Sequence, residues 1–183
     1  MQKVIIIGGG ASGIMTAIHA TSKNNEVIVL ERNISCCKKL LMTGNGRCNY
    51  WNEDQQVNHY HSNKQEELEK IITPKNQKDV LSFFDQIGII PKIKEGYYYP
   101  FSNQAVSVEY ALLLQAKLNG IKIITDCFVS DIEYKNNFIV KTNKGKMLAD
   151  KVVIATGSKA IPKTGSDGNG YFLAEKLGLL VTP

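Results

Sequence analysis

The chain has 183 residues, 43% of them hydrophobic and 21% charged, with a formal net charge of +5. That length and balance describe one globular domain with a real core and exclude a disordered or low-complexity chain. No block of five like charges and no membrane-length apolar run occurs, so neither nucleic acid nor a membrane is expected as a partner.

The strand read over 3–7 follows Lys3 with four apolar, β-branched residues, Val4-Ile5-Ile6-Ile7, as suits a strand buried on both faces. Gly8-Gly9-Gly10-Ala11-Ser12-Gly13 follows, then a helix over 11–22 and a second strand, Val27-Ile28-Val29-Leu30, tipped by Glu31. Strand, glycine turn, helix, strand and acid make the dinucleotide-binding fingerprint. Gly8 allows the tight turn, Gly10 lets a pyrophosphate approach the backbone, and Gly13 lets the helix lie close on the sheet. The helix opens at Ala11 and aims free N–H groups and its positive dipole end at the phosphates, where Ser12 adds a hydroxyl. Glu31 lies 18 residues beyond Gly13. That is near the spacing of about 20 at which a carboxylate accepts from ribose hydroxyls, and it disfavours the 2′-phosphate of NADP. The plain alternative, a glycine turn that binds nothing, leaves the flanking strands and Glu31 unexplained.

Lys3, an apolar stretch and small residues imitate a signal peptide, but the glycines stand at fingerprint positions. The cysteines are Cys36, Cys37, Cys48 and Cys127, with no C-x-x-C. They fit a reducing cytoplasm rather than a disulfide framework, and the Asn33-Ile34-Ser35 sequon then carries no weight.

Residues 32–63 form a polar, glycine-bearing loop too long for a simple connection. Within it, Gly44-Asn45-Gly46-Arg47-Cys48-Asn49 has two readings. The glycines can expose backbone N–H groups and Arg47 offers a forked donor for phosphate or carboxylate; equally, this is a β-turn with an exposed Arg. Cys48 has no thiol partner at suitable spacing, so packing is preferred over redox work. His59-x-His61 lacks a completing ligand set, and Tyr60-x-x-x-Lys64 lies in polar sequence too early for a dehydrogenase pair.

A helix is expected over 62–72. Thr73-Pro74 starts another, with Val80, Leu81, Phe84 and Ile87 on one face and Gly88 as its stop. Residues 89–99 read as extended, and 103–119 as an amphipathic helix carrying Val108, Leu112 and Ala116. Residues 121–125 form the next parallel strand. Residues 128–134, 138–142 and 146–148 form a β-meander, 151–155 a buried strand ending in Thr156-Gly157, and a glycine loop leads into a last helix that stops at Gly178.

Several of these stretches carry a resemblance. Lys39-Leu40-Leu41-Met42-Thr43-Gly44-Asn45-Gly46-Arg47-Cys48-Asn49 is similar to the K-L-x-x-S-G-x-G-R-C-N signature of the aminoacetone oxidase family of bacterial NAD(P)/FAD-dependent oxidoreductases. Gly96-Tyr97-Tyr98-Tyr99-Pro100-Phe101-Ser102 resembles its G-R-x-F-P-x-S. Ala155-Thr156-Gly157 resembles its A-T-G-G, and Gly165-Ser166-Asp167-Gly168-Asn169-Gly170-Tyr171 its G-S-x-G-D-G-Y. The motifs run in order along nearly the whole chain.

The resemblance implies an α/β, Rossmann-like FAD-binding domain over 1–183, with a central parallel sheet, a β-meander crossover and a helical insertion. It implies FAD as cofactor: Gly8, Gly10, Ala11, Ser12 and Gly13 on the pyrophosphate, Glu31 on the adenosine ribose, and Arg32 and Lys39 near the adenosine. Gly46, Arg47 and Cys48 would lie along the flavin-side phosphate and ribityl chain. The Val129 backbone would meet the adenine edge, and Ala155, Thr156 and Gly157 would close over the cofactor. No catalytic residue and no metal follow from it. Departures stand at Cys37 (usually Gly), Tyr97 (usually Arg), Ser158 (usually Gly) and Asn169 (usually Asp). Family members are much longer, with an inserted substrate-side domain and a C-terminal return that completes the FAD site. The expectation is therefore the N-terminal part of an FAD-dependent oxidoreductase, with NAD(P)H or a small molecule as further partner. The alternatives are a non-catalytic dinucleotide-binding fragment, one half of a split flavoenzyme served by a second chain, and a simple NAD-binding dehydrogenase domain.

Overall fold

The structure, a computed structural model, describes residues 1–182, and its elements follow the expected order. They are β1 (Gln2–Ile7), α1 (Ala11–Ala20), β2 (Asn25–Leu30), β3 (Trp51–Asn52), α2 (Gln65–Ile71), α3 (Pro74–Gln86), β4 (Pro91–Lys94) and β5 (Tyr97–Pro100). Then come α4 (Ala105–Leu118), β6 (Lys122–Ile124), β7 (Val129–Tyr134), β8 (Phe138–Thr142), β9 (Gly145–Ala149), β10 (Lys151–Ile154) and α5 (Asn169–Lys176). Two compact units result. One joins Met1–Leu40 to the chain from Leu112 onward; the other is Leu41–Ala111.

The first unit is built on a four-stranded parallel sheet in the order β6-β2-β1-β10. Strands buried on both faces need continuous apolar runs, and Val4 to Ile7 and Val27 to Leu30 supply them. Helix α1 makes the crossover from β1 to β2 and buries Gly13, Ile14, Ala17 and Ile18, one stripe at helical spacing. It stops two residues short of the expected end, where Thr21 turns extended. The meander β7-β8-β9 is a separate antiparallel sheet. Its Val129, Ile132 and Val140 join Ile5 and Leu30 of the parallel sheet and Leu173 of α5 in one core.

On the meander, Lys141 Nζ donates to Asp131 Oδ2 at 3.0 Å and to the Glu133 carboxylate, while Lys176 Nζ lies 3.6 Å from Asp131 Oδ1. The hydrogen bond from Lys141 is the main reason both carboxyls are held below their usual range. A carboxyl depressed in the folded state contributes stability above its unfolded pKa, and that contribution is lost as pH falls through the folded value. Lys141→Met is therefore expected to flatten the fall in urea midpoint below about pH 4. An unchanged acid limb would show that the cluster is not coupled to folding.

In the second unit, the Thr73 hydroxyl accepts from Asn76 N–H at 3.1 Å and Pro74 occupies the first turn of α3, as the sequence signals. Tyr50 packs on Phe84 of α3, with ring centroids 4.5 Å apart, and meets Tyr98 of β5 edge-on at 6.3 Å. The stretch read as simply extended is a hairpin: β4 and β5 pair antiparallel within the sheet β3-β5-β4. Its two-residue turn, Glu95-Gly96, has φ values of 51° and 79°. These suit the primed turn that matches strand twist, and Glu in place of the usual Asn or Asp hides it in the sequence.

Candidate functional site: a dinucleotide cleft

β1 connects to one side of the sheet through β2, and β10 lies on its other side, so the strand order reverses between β1 and β10. Ligands of open α/β sheets bind at that switch, beyond the carboxyl ends of the strands. A cleft of about 380 Å³ opens there, within the range of roughly 300–1,000 Å³ usual for small-ligand sites. Its walls come from the first unit alone.

The glycines behave as three different devices. Gly8 has φ +108°, and a Cβ on it would stand 2.5 Å from the Ala155 carbonyl oxygen. A Cβ on Gly13 would be driven into the carbonyl oxygen of Gly8, so this glycine sets the approach of α1 to β1. Gly10 differs from both. Its backbone (φ −75°, ψ −179°) suits any residue, and a Cβ there would meet nothing within 4 Å. No protein group requires glycine at that point; the space left open is cleft. The first intrahelical bond runs from Ile14 N–H to Gly10 O at 2.9 Å, so the N–H groups of residues 11–13 precede it and remain for a ligand.

Glu31 is buried, at 6% exposure, yet lines the cleft. Its Oε2 accepts from Gly9 N–H at 2.7 Å, and its Oε1 accepts from the Asn33 backbone N–H at 2.8 Å and the Asn33 side-chain amide at 2.6 Å. A carboxylate has about four lone-pair sites, which leaves one on Oε2 for a ribose hydroxyl. The same carboxylate fixes the glycine turn from below. Glu31→Ala is expected to lower stability by about 2–3 kcal/mol by stranding Gly9 N–H and the Asn33 donors, besides weakening nucleotide binding. Equal chemical-denaturation midpoints for variant and parent would contradict this.

Three cations line the cleft against Glu31. Arg32 donates to Asp167 Oδ2 at 2.6 Å, a bond that holds the Asp167 carboxyl below its usual range, and its guanidinium lies 4.9 Å from the Phe128 ring centroid. Lys38 Nζ donates to Asn33 Oδ1 at 3.0 Å, and Lys39 Nζ to Ser166 Oγ at 2.8 Å. The buried Ser166 hydroxyl also lies 2.6 Å from Ser158 O and 3.2 Å from Thr156 O. It thereby joins Lys39 to the turn that ends β10. Gly157 (φ +76°) is needed at that turn, because a Cβ on it would stand 2.6 Å from Ser166 Oγ.

Of the residues singled out in the sequence, Gly8, Gly10, Ala11, Ser12, Glu31, Arg32, Lys39, Val129, Ala155, Thr156 and Gly157 all line this cleft. Gly13 stands one residue behind the wall. Gly46, Arg47 and Cys48 belong to the second unit and are not among the lining residues. There Arg47 Nε donates to Gly44 O at 2.9 Å and its guanidinium sits 5.1 Å from the Tyr99 ring centroid. Burial pushes the Cys48 thiol up, away from the thiolate that redox chemistry needs. His59 Nε2 pairs with Asp54 Oδ2 at 2.8 Å. Among the described residues, no cluster of His, Cys, Asp and Glu could hold a metal ion, and no helix is long and apolar enough to cross a membrane. Asn33, Lys38, Phe128, Ser166 and Asn169 were missed as cleft residues; for the last two, the Gly165-to-Tyr171 motif was the available signal.

At Cys37 the chain keeps a left-handed turn (φ 57°) without glycine, held by Cys37 N–H to Gly9 O at 2.9 Å.

The whole of residues 2–183 matches the model of the HI0933-like protein Rossmann domain. The chain belongs to the HI0933-like family. Its domain is of the FAD-binding Rossmann kind, and the family's homologues are flavoprotein oxidoreductases. The chain is 37% identical to the 3-dehydro-bile acid delta(4,6)-reductase of Clostridium scindens, over all of its own length and 46% of that protein. It is 27% identical to the ribosomal RNA dihydrouridine synthase of Haemophilus influenzae, over 98% of its length and 46% of that protein. The chain thus spans about half the length of the curated relatives it matches. Among solved structures, 3-ketosteroid-delta4-(5alpha)-dehydrogenase from Rhodococcus jostii superposes with a TM-score of 0.71 at 13% identity, over 97% of this chain and 54% of that one, a likeness of fold.

Proposed function

We propose that residues 1–183 form one FAD/NAD(P)-binding domain, the N-terminal part of a cytoplasmic FAD-dependent oxidoreductase that reduces a carbon–carbon double bond conjugated to a carbonyl. The open space above Gly10, beside free helix amides and lysines, carries the cofactor part of this reading. In it, Gly8, Gly10, Ala11, Ser12 and Gly13 receive the pyrophosphate and Glu31 the ribose. Arg32 and Lys39 offset phosphate charge near the adenosine, and Val129 offers its backbone to the base. Ala155, Thr156 and Gly157 close the far wall. When bound, the flavin supplies hydride transfer; the chain's own groups bind it, orient it and exclude water.

The relatives support the substrate class. A delta(4,6)-reductase acting on a 3-dehydro-bile acid saturates carbon–carbon bonds conjugated with a ketone, and dihydrouridine synthesis saturates the uracil double bond beside a carbonyl. The greater identity to the bile acid enzyme favours a polycyclic enone over RNA, in keeping with a chain that has no run of like charges. The aminoacetone oxidase branch, whose motifs the sequence resembles, is the rival assignment and would oxidise a carbon–nitrogen bond instead. To test this, the FAD-loaded chain is reduced without oxygen and mixed with a 3-oxo-Δ4 steroid. Return of the oxidised flavin spectrum with formation of the saturated ketone is expected; reduction of the loaded flavin by an amine, and no reoxidation by the enone, would overturn it.

A further inference from the structure

With phosphates at Gly10 and ribose at Glu31, the base of a bound dinucleotide must lie beyond Glu31. Cys127 N–H donates to Glu31 O at 2.8 Å, so the wall there is formed by residues 127–129. Asn169, the first residue of α5, lines the same part of the cleft. Its backbone N–H donates to Asp167 Oδ1 at 3.1 Å and its side-chain Nδ2 donates to Val129 O at 3.0 Å. A carbonyl can only accept, so this bond locks the amide: turning it over would set two oxygens against each other. Oδ1 is thereby turned away from Val129. It accepts no hydrogen bond among the described residues, and it is not sealed from solvent. An aspartate, which the resembling motif carries at this position, could not donate to Val129 at all.

We propose that Asn169 selects the base, accepting at Oδ1 a hydrogen bond from an exocyclic amine and so favouring adenine over a base with a carbonyl in that place. The proposal rests on the reading of the cleft as the adenosine–pyrophosphate site of FAD. A carbonyl-bearing base would face Oδ1 oxygen to oxygen, and the Val129 bond prevents the amide from turning to accommodate it.

The test is calorimetric titration of the chain with ADP and with inosine diphosphate, whose base carries a carbonyl in place of the amine. The parent chain should bind ADP about tenfold more tightly, the worth of one hydrogen bond. In Asn169→Ala the two affinities should fall within about twofold of each other, because ADP weakens and inosine diphosphate does not. Equal affinities in the parent would overturn the assignment, even if the variant fails to fold. So would a preference that survives in the variant, or a loss shared equally by both nucleotides, which is what a purely structural role would produce. Binding of neither nucleotide by the parent would overturn the reading of the cleft itself, and this proposal with it.

Discussion

Gly10→Val is expected to lower FAD and ADP affinity at least 100-fold while reducing stability by no more than about 1 kcal/mol. A Cβ on Gly10 meets no protein atom within 4 Å, and the backbone there is ordinary for a branched residue. What remains on the stability side is the small preference for glycine over valine at a helix N-cap. The effect on binding is large for the same geometric reason. The side chain fills the space through which a pyrophosphate reaches the α1 amides, and each charge-assisted hydrogen bond lost there is worth about 1.5–3 kcal/mol. Two such losses exceed 100-fold. Isothermal titration beside a thermal melt reads both quantities. A variant that binds as well as the parent would remove the ligand from this cleft.

Gly13→Ala is expected to do the reverse, destabilising the fold by about 3 kcal/mol or more through a single methyl group. That methyl would be driven into the Gly8 carbonyl, which is backbone and cannot swing aside. Either α1 lifts from β1 or the glycine turn is rebuilt, and Ile14 and Ala17, both at 0% exposure, lose their packing. Urea unfolding measures it; a midpoint equal to that of the parent would mean that the helix does not approach the strand so closely. The two variants separate glycine required by a ligand from glycine required by the chain, three residues apart in one motif.

The parallel sheet was legible in the sequence because buried parallel strands leave continuous apolar runs, and those at 4–7, 27–30 and 152–155 are unambiguous. The meander was legible from its Asn- and Gly-bearing turns. The β4–β5 hairpin was not, since Glu95 adopts a left-handed conformation that its side chain does not advertise. The glycine turn and Glu31, which the proposal gives to phosphate and ribose, were legible as cleft residues because one local motif carries them. The rest of the cleft depends on partners far apart in sequence: Lys39 with Ser166, Arg32 with Asp167, Asn169 with Val129. No periodicity or spacing records such pairs, so Asn33 and Lys38 emerge only once the strands bring the cleft walls together. The division at Leu41 and Ala111 was also invisible, because the motif that follows Lys39 runs across the first of those boundaries without a change of composition.

In the proposed function, the cleft between the ends of β1 and β10 receives the ADP half of FAD. Displacement of FAD by ADP, followed through flavin fluorescence in the 183-residue chain, tests it most directly. One saturable flavin site, emptied completely by ADP, is the predicted result. Flavin that stays bound at saturating ADP, or a chain with no saturable flavin site, would contradict it.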